Sequence, residues 1–159
     1  RTAKGEIIAN TDADTIVPEN WLEEIIKSLS GDAVGVYGTA LIYDGGFFPN
    51  MLSKIFYIPF TYLNHYIGRP NFVGYNSAVK KRAAKKIGYF NKTLKNGEDI
   101  DLAYRLLKIG PVVLNKNLVV RTSIRRIRKF GYLRFLRYNM ENYFKYYSTG
   151  KSNEYEISH

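Results

Sequence analysis

The sequence predicts an α/β protein, a sheet flanked by helices and followed by an amphipathic helix. Three observations carry this: short β-branched and apolar runs of strand length, segments between them with apolar residues every three or four positions, and turn residues separating the two. Residues 6–10 read as a short buried strand entering the polar turn Thr11-Asp12-Ala13-Asp14. Pro18 suits a first helical turn, and Glu19, Glu23 and Glu24 favour its positive end. Leu22, Ile25, Ile26 and Leu29 then form a helical stripe that Gly31 can end. Residues 33–43 read as a strand broken by Gly35 and Gly38, ending at Gly45-Gly46.

Residues 51–67 are apolar and aromatic, but Lys54, Pro59, Asn64 and His65 interrupt them. A spanning helix needs roughly 20 mainly apolar residues, so a core or interfacial segment is expected. Residues 71–75 read as a strand, with Asn76-Ser77 and then a helix through Lys86 stopped by Gly88. Asn96-Gly97 marks a turn. Residues 98–109 read as a helix with Leu102, Leu106 and Ile109 on one face, ended by Gly110-Pro111. Two short strands are expected at 112–114 and 118–121. The last helix, 132–147, places Leu133, Leu136, Met140, Tyr143 and Tyr147 on one stripe, with Arg134, Arg137, Glu141 and Lys145 opposite. Residues 151–159 read as a frayed tail.

The 159 residues fit one domain. The chain has no cysteine, which removes disulfides and thiolate zinc sites and fits a reducing compartment. Residues 1–8 show no charged-then-apolar leader. A cytoplasmic location is therefore expected; residues 51–67 and the 132–147 helix could rest on the inner face of the membrane, or both stripes could simply pack on the sheet or on a partner subunit. Charge is uneven: residues 1–79 carry a balance of −3 and residues 80–159 one of +13. The second half thus suits an anionic partner, whether nucleic acid, a diphosphate or a membrane surface.

Two acidic groups could carry chemistry. Asp12 and Asp14 leave a strand end two residues apart, so both carboxylates can converge on one hard cation. A plain Asx turn capping the next helix is the bland alternative. Glu98-Asp99-Ile100-Asp101 opens a helix, where the dipole favours ionised carboxylates, and such a group can accept a proton from a hydroxyl. Ordinary first-turn acids would look the same. Arg105 could fix one of these carboxylates or be solvated. Phe72-Val73-Gly74-Tyr75-Asn76-Ser77 could bring backbone N–H groups and the Asn76 amide to a substrate, or Ser77 could be a simple cap. His65 and His159 offer little. P-loop, Cys-x-x-Cys and Gly-x-Ser-x-Gly patterns are absent from the sequence.

Order and spacing say more than any single motif. Read together, "GEIIANTDADTIVPENWLEEII", "VGVYGTAL", "FVGYNSAVKKRAAKKIGYFN" and "GEDIDLAYRLLKIG" resemble family 2 glycosyltransferases, inverting enzymes of the GT-A fold, over about residues 5–126. The resemblance implies a partial GT-A fold with a mixed sheet: residues 1–126 as the C-terminal, acceptor-side part of the catalytic domain, 127–150 as a helical extension, and 151–159 as tail. It implies Mg2+ or Mn2+ on Asp14 with Asp12 facing both metal and donor, and Asp99 as general base. Gly74, Asn76 and Glu98 would line the donor and acceptor pocket, and Arg125 or Arg126 would add positive charge near the diphosphate. The implied partners are a nucleotide-diphosphate sugar and a glycan or lipid-linked acceptor of the cell envelope.

Two departures qualify this. The family's nucleotide-binding half is expected before Gly5, so the isolated chain would lack much of the base pocket. The Gln-x-x-Arg-Trp motif of processive members is replaced by Ser123-Ile124-Arg125-Arg126, which favours transfer of a single sugar. The rival from another class is a basic nucleic-acid-binding module. It explains the charge but not five acids in two clusters, since acids repel phosphate, so no nucleic-acid partner is expected. A nucleotidyltransferase on a similar fold is a third reading.

Overall fold

The structure is a computed structural model describing residues 2–94 and 97–149. Five strands form one mixed sheet: β1 (Ile7–Asn10), β2 (Thr15–Ile16), β3 (Gly35–Ile42), β4 (Ser77–Lys80) and β5 (Val112–Thr122), in the order β1-β4-β3-β5-β2. Only β3 and β5 run parallel; the other neighbours are antiparallel. The helices are α1 (Trp21–Leu29), α2 (Phe47–Leu52), a π-helical turn (Ser53–Tyr57), α3 (Ile58–Tyr66), α4 (Lys81–Lys86), α5 (Glu98–Leu107), α6 (Arg125–Phe130) and α7 (Tyr132–Thr149).

Period-two alternation divides the core between the two sheet faces. Val36, Ala78, Leu118 and Val120 pack with Trp21, Ile25 and Leu29 of α1. Tyr37, Val79 and Val112 pack on the other face with Ala83 and Ala84 of α4 and Leu102, Ala103 and Leu106 of α5. The sequence stripe on α1 is half right: Ile25 and Leu29 are buried, while Leu22 and Ile26 are exposed and Trp21 takes the inward place. Pro18 lies ahead of the helix, its carbonyl accepting from Trp21 N at 3.0 Å.

The sequence misplaces two strands. Residues 71–75 are apolar because Phe72 and Val73 are buried, yet they join no ladder; pairing starts at Ser77. Residues 77–80 are accordingly strand, and the helix begins only at Lys81. The expected pair at 112–114 and 118–121 is one strand with a bulge: Tyr37 pairs Leu114 and Thr39 pairs Val119, leaving residues 115–118 opposite Gly38. Asn115 Nδ2 ties the bulge to α1 through Glu24 Oε2 at 2.9 Å and Ser28 Oγ at 2.8 Å. Gly38 is required here, since a Cβ would sit 1.8 Å from Leu118 O and 2.6 Å from Asn76 Nδ2.

Residues 51–67 are helical and cover the β3 end of the sheet, where Ser53 Oγ donates to Ala40 O at 3.2 Å. The extension expected from residue 127 consists of α6, which already begins at Arg125, and α7. The stripe expected on α7 turns only partly inward. Tyr143 packs on Phe60 at 5.6 Å and Tyr146 on Tyr104 at 5.7 Å, whereas Leu133 is exposed. Asn96, the side chains of Leu136 and Tyr147, and the tail lie outside the described residues.

Candidate active site

The topology brings both acidic groups to one end of the sheet. β1 and β2 lie at opposite edges of the sheet order, so residues 11–14 cross from one edge to the other. They do so at the carboxyl ends of the parallel strands β3 and β5, where Thr15 pairs with Thr122. Ligands of α/β sheets bind at such ends. The loop entering β4 arrives at the same end, since Ser77 pairs with Asn10.

Asp99 opens α5, preceded by Gly97 at φ 70°, a left-handed conformation that glycine adopts without strain. Its Oδ2 accepts from Gly74 N at 3.0 Å and its Oδ1 from Ile100 N at 2.8 Å. The helix dipole favours the ionised form of this carboxylate. Burial outweighs that: the pKa rises to about 6, with the Glu98 charge adding to the rise and the N–H bonds opposing it. Asp99 is thus still mostly ionised at neutral pH, yet basic enough to take a proton.

Two tyrosines stand beside it. Tyr57 and Tyr75 share a hydroxyl–hydroxyl bond of 2.8 Å. Burial raises both pKa values; the Asp99 charge adds to each, and the Asp12 charge adds at Tyr75. The Tyr75 hydroxyl therefore feels carboxylates from both acidic groups. Asp12 itself is exposed, and its backbone carbonyl accepts from Thr15 N at 3.1 Å.

Asp14 lines an open cleft of about 370 Å³ with Tyr43, Asp44, Ser123, Arg125 and Arg128. Arg125 pairs with Asp14 at 3.5 Å. Asp44 organises the far wall, accepting from Ser123 Oγ at 2.6 Å and Ile124 N at 2.9 Å, and these bonds hold its pKa low. Arg128 donates to Asp44 O.

Not every residue singled out from sequence faces this region. Asn76 is corrected: it is fully buried, its Nδ2 donating to Thr39 O and Leu118 O, both at 2.8 Å, and its Oδ1 accepting from Trp21 Nε1 at 2.9 Å. With both N–H groups engaged and no exposed atom, it serves the fold rather than a ligand. Gly74 reaches the site through its backbone N–H. Glu98 is exposed, and Arg126 is exposed outside the cleft lining, where Arg128 stands instead. Arg105 does fix a carboxylate, Asp101, at 2.6 Å. Tyr57, Tyr75, Asp44 and Arg128 were missed. For Tyr75 the signal was its place in Gly-Tyr-Asn; for Arg128 it was the i, i+3 spacing from Arg125.

A divalent cation fits this end of the molecule on one condition. Among the described residues no three metal-binding side chains cluster. One or two carboxylates would then have to be completed by phosphate oxygens and water, the usual arrangement for Mg2+.

The mixed sheet, with the 11–14 turn crossing at its carboxyl end and Asp99 at a helix mouth beside it, has the GT-A fold. The chain belongs to glycosyl transferase family 2, whose family model matches residues 1–88. No curated protein matches it. Among solved structures, it is similar to the mannosyltransferase PcManGT from Pyrobaculum calidifontis in complex with GDP-Man and Mn2+. That match has a TM-score of 0.63 at 18% identity and covers 95% of this chain but 42% of the other, so it shows the fold. The chain spans less than half the length of that relative.

Proposed function

We propose that this chain is the acceptor-side part of a metal-dependent, inverting glycosyltransferase that moves one sugar from a nucleotide-diphosphate sugar to a hydroxyl acceptor. The observation that carries the reading is Asp99, held by Gly74 N–H and Ile100 N–H with its pKa raised to about 6, at the sheet end that the Asp12–Asp14 turn crosses. Asp99 takes the proton of the acceptor hydroxyl as that oxygen attacks the anomeric carbon. The bond to the diphosphate breaks on the opposite face, inverting the centre. Tyr57 and Tyr75 wall the approach beside Asp99. Arg125 and Arg128 offer positive charge to the departing diphosphate. Asp14, with Asp12 beside it, would hold Mg2+ or Mn2+ together with phosphate oxygens and water, and the ion would supply charge neutralisation for that departure. A glycan or lipid-linked acceptor of the cell envelope, met at the inner face of the membrane, suits the basic second half.

The test uses the protein with a panel of nucleotide sugars, GDP-mannose among them, titrated with Mn2+. Metal-dependent release of nucleoside diphosphate is expected. Asp14→Asn should lose donor binding, whereas Asp99→Asn should keep it and lose transfer. Absence of release and of metal-dependent donor binding with every donor would reject the reading.

A further inference from the structure

The segment from α2 through α3 is amphipathic in the reverse sense. Its fully buried side chains are polar. Ser53, Thr61 and Asn64 are buried, with Ser53 bonded to Ala40 O, Thr61 Oγ1 to Tyr57 O at 2.9 Å and Asn64 Nδ2 to Phe60 O at 2.8 Å. Its outward face is apolar. Phe47, Phe48, Ile55, Phe56, Leu63 and Tyr66 are all more than half exposed, Phe47 by 83% and Tyr66 by 81%. Ile55, Leu63 and Tyr66 recur at helical spacing. A surface helix in water shows the opposite arrangement, and large apolar side chains gathered on an open face mark a contact with something apolar. Among the described residues no helix is long and apolar enough to cross a membrane.

Charge narrows the occupant. Residues 45–97 contain no Asp or Glu, and neither do residues 102–140. Lys54 lies exposed within the segment, and Arg126, Lys129 and Arg134 lie exposed on α6 and α7. These helices border the apolar face: Ile124, just ahead of α6, bonds to Asp44 just ahead of α2, and α7 packs Tyr143 on Phe60 of α3. A second copy would bring cations to cations. An anionic leaflet offers acyl chains for the aromatic face and phosphate headgroups for the rim.

We propose that the α2–α3 segment is an interfacial docking surface lying in an anionic lipid leaflet, with α6 and the start of α7 resting on the headgroups. Only the link to the acceptor rests on the transferase reading: Tyr57 of this segment is the hydroxyl partner of Tyr75 beside Asp99, so the docked segment also walls the candidate site. An acceptor carried on a lipid would then reach Asp99 without leaving the bilayer surface.

The test is sedimentation of the protein with vesicles of phosphatidylcholine alone and of phosphatidylcholine and phosphatidylglycerol in equal parts, without donor or metal. Binding is therefore read independently of transfer. Selective binding to the anionic vesicles is expected. Phe47→Ser/Phe48→Ser/Phe56→Ser should weaken it by about tenfold or more per side chain, and Arg126→Glu/Lys129→Glu/Arg134→Glu by roughly fivefold per cation lost. Leu22→Ser/Ile26→Ser on α1 should leave it unchanged. Phe48→Trp keeps the surface and reports insertion by a blue-shifted, brominated-lipid-quenched emission that binding alone would not give. Three results overturn the proposal: no binding to either vesicle, binding that only the charge variant weakens, or self-association in solution that the Phe variant abolishes.

Discussion

Replacing Asp99 by Asn tests the chemistry through folding stability, without any substrate. Burial pushes the carboxyl pKa up to about 6 in the folded chain from the ordinary 3.8. Between those values the folded state holds a proton that the unfolded state has released. Stability therefore falls as pH rises through this window and levels off above it. At 1.36 kcal/mol per unit, the shift of about two units corresponds to a loss of about 3 kcal/mol. Asn carries no such charge, but its single oxygen accepts in only one of the two positions, leaving Gly74 N–H or Ile100 N–H facing an amide NH2 at about 1–3 kcal/mol. These two effects nearly cancel at neutral pH, so the absolute stability of Asp99→Asn decides nothing. The difference between the two proteins as a function of pH does decide, because every other titrating group is common to both. Urea unfolding from pH 4 to pH 7 should show the wild type losing stability relative to Asp99→Asn by about 2–3 kcal/mol, nearly all of it below about pH 6.5. A difference that stays flat across this range would refute the buried, raised carboxylate and with it the argument for Asp99 as base.

Two further outcomes follow from the same contacts. The acid limb of kcat/KM should fall with unit slope below about pH 6, and Glu98→Gln, which removes a like charge but leaves the burial, should move that limb to lower pH in a stopped pH-rate series. Asn76→Ala should cost on the order of 3 kcal/mol or more in urea unfolding, because it leaves Trp21 Nε1 and the carbonyls of Thr39 and Leu118 buried without their partner. A loss below about 1 kcal/mol would show that the amide is not the tie described.

The sheet and its flanking helices were legible where one physical cause set the pattern. Helix α5 announces itself through Leu102 and Leu106 on one face with acids at its mouth, and β3 through a β-branched run. Legibility failed where burial and secondary structure part company. Phe72 and Val73 look like strand because they are buried, yet they are a connection, and the strand beyond them hides at Ser77, where a helix was expected. The bulge in β5 leaves only Asn-Lys-Asn in the sequence, which resembles a loop between two strands. Asp12, Asp14 and Asp99 were legible as strand-end and helix-mouth acids, while the roles proposed for them come from the family resemblance and not from their position alone. The pairing of Tyr57 with Tyr75 was not legible, since it depends on how the 47–66 segment settles on the sheet, although Gly-Tyr-Asn marks Tyr75 itself.

The fate of Asn76 shows why a motif residue can be indispensable without touching a ligand. Trp21 begins the helix that follows the acid turn, Thr39 lies on the central strand, and Leu118 closes the bulge; one amide bonds to all three. It also directly follows Gly74 and Tyr75, the residues that meet Asp99 and Tyr57. A buried bond network thus ties the helix after the acid turn to the loop that meets Asp99. Gly38 belongs to the same network, because any side chain there would occupy the space of the amide and of Leu118 O. Loosening it would shift Asp99 relative to Asp14 before either carboxylate changed its chemistry, and displacements of about 1 Å at a reacting centre cost on the order of a hundredfold in rate. The "GYN" triplet thus divides its labour by residue: glycine presents an N–H to the Asp99 carboxylate, tyrosine presents a hydroxyl beside it, and asparagine fixes both to the sheet.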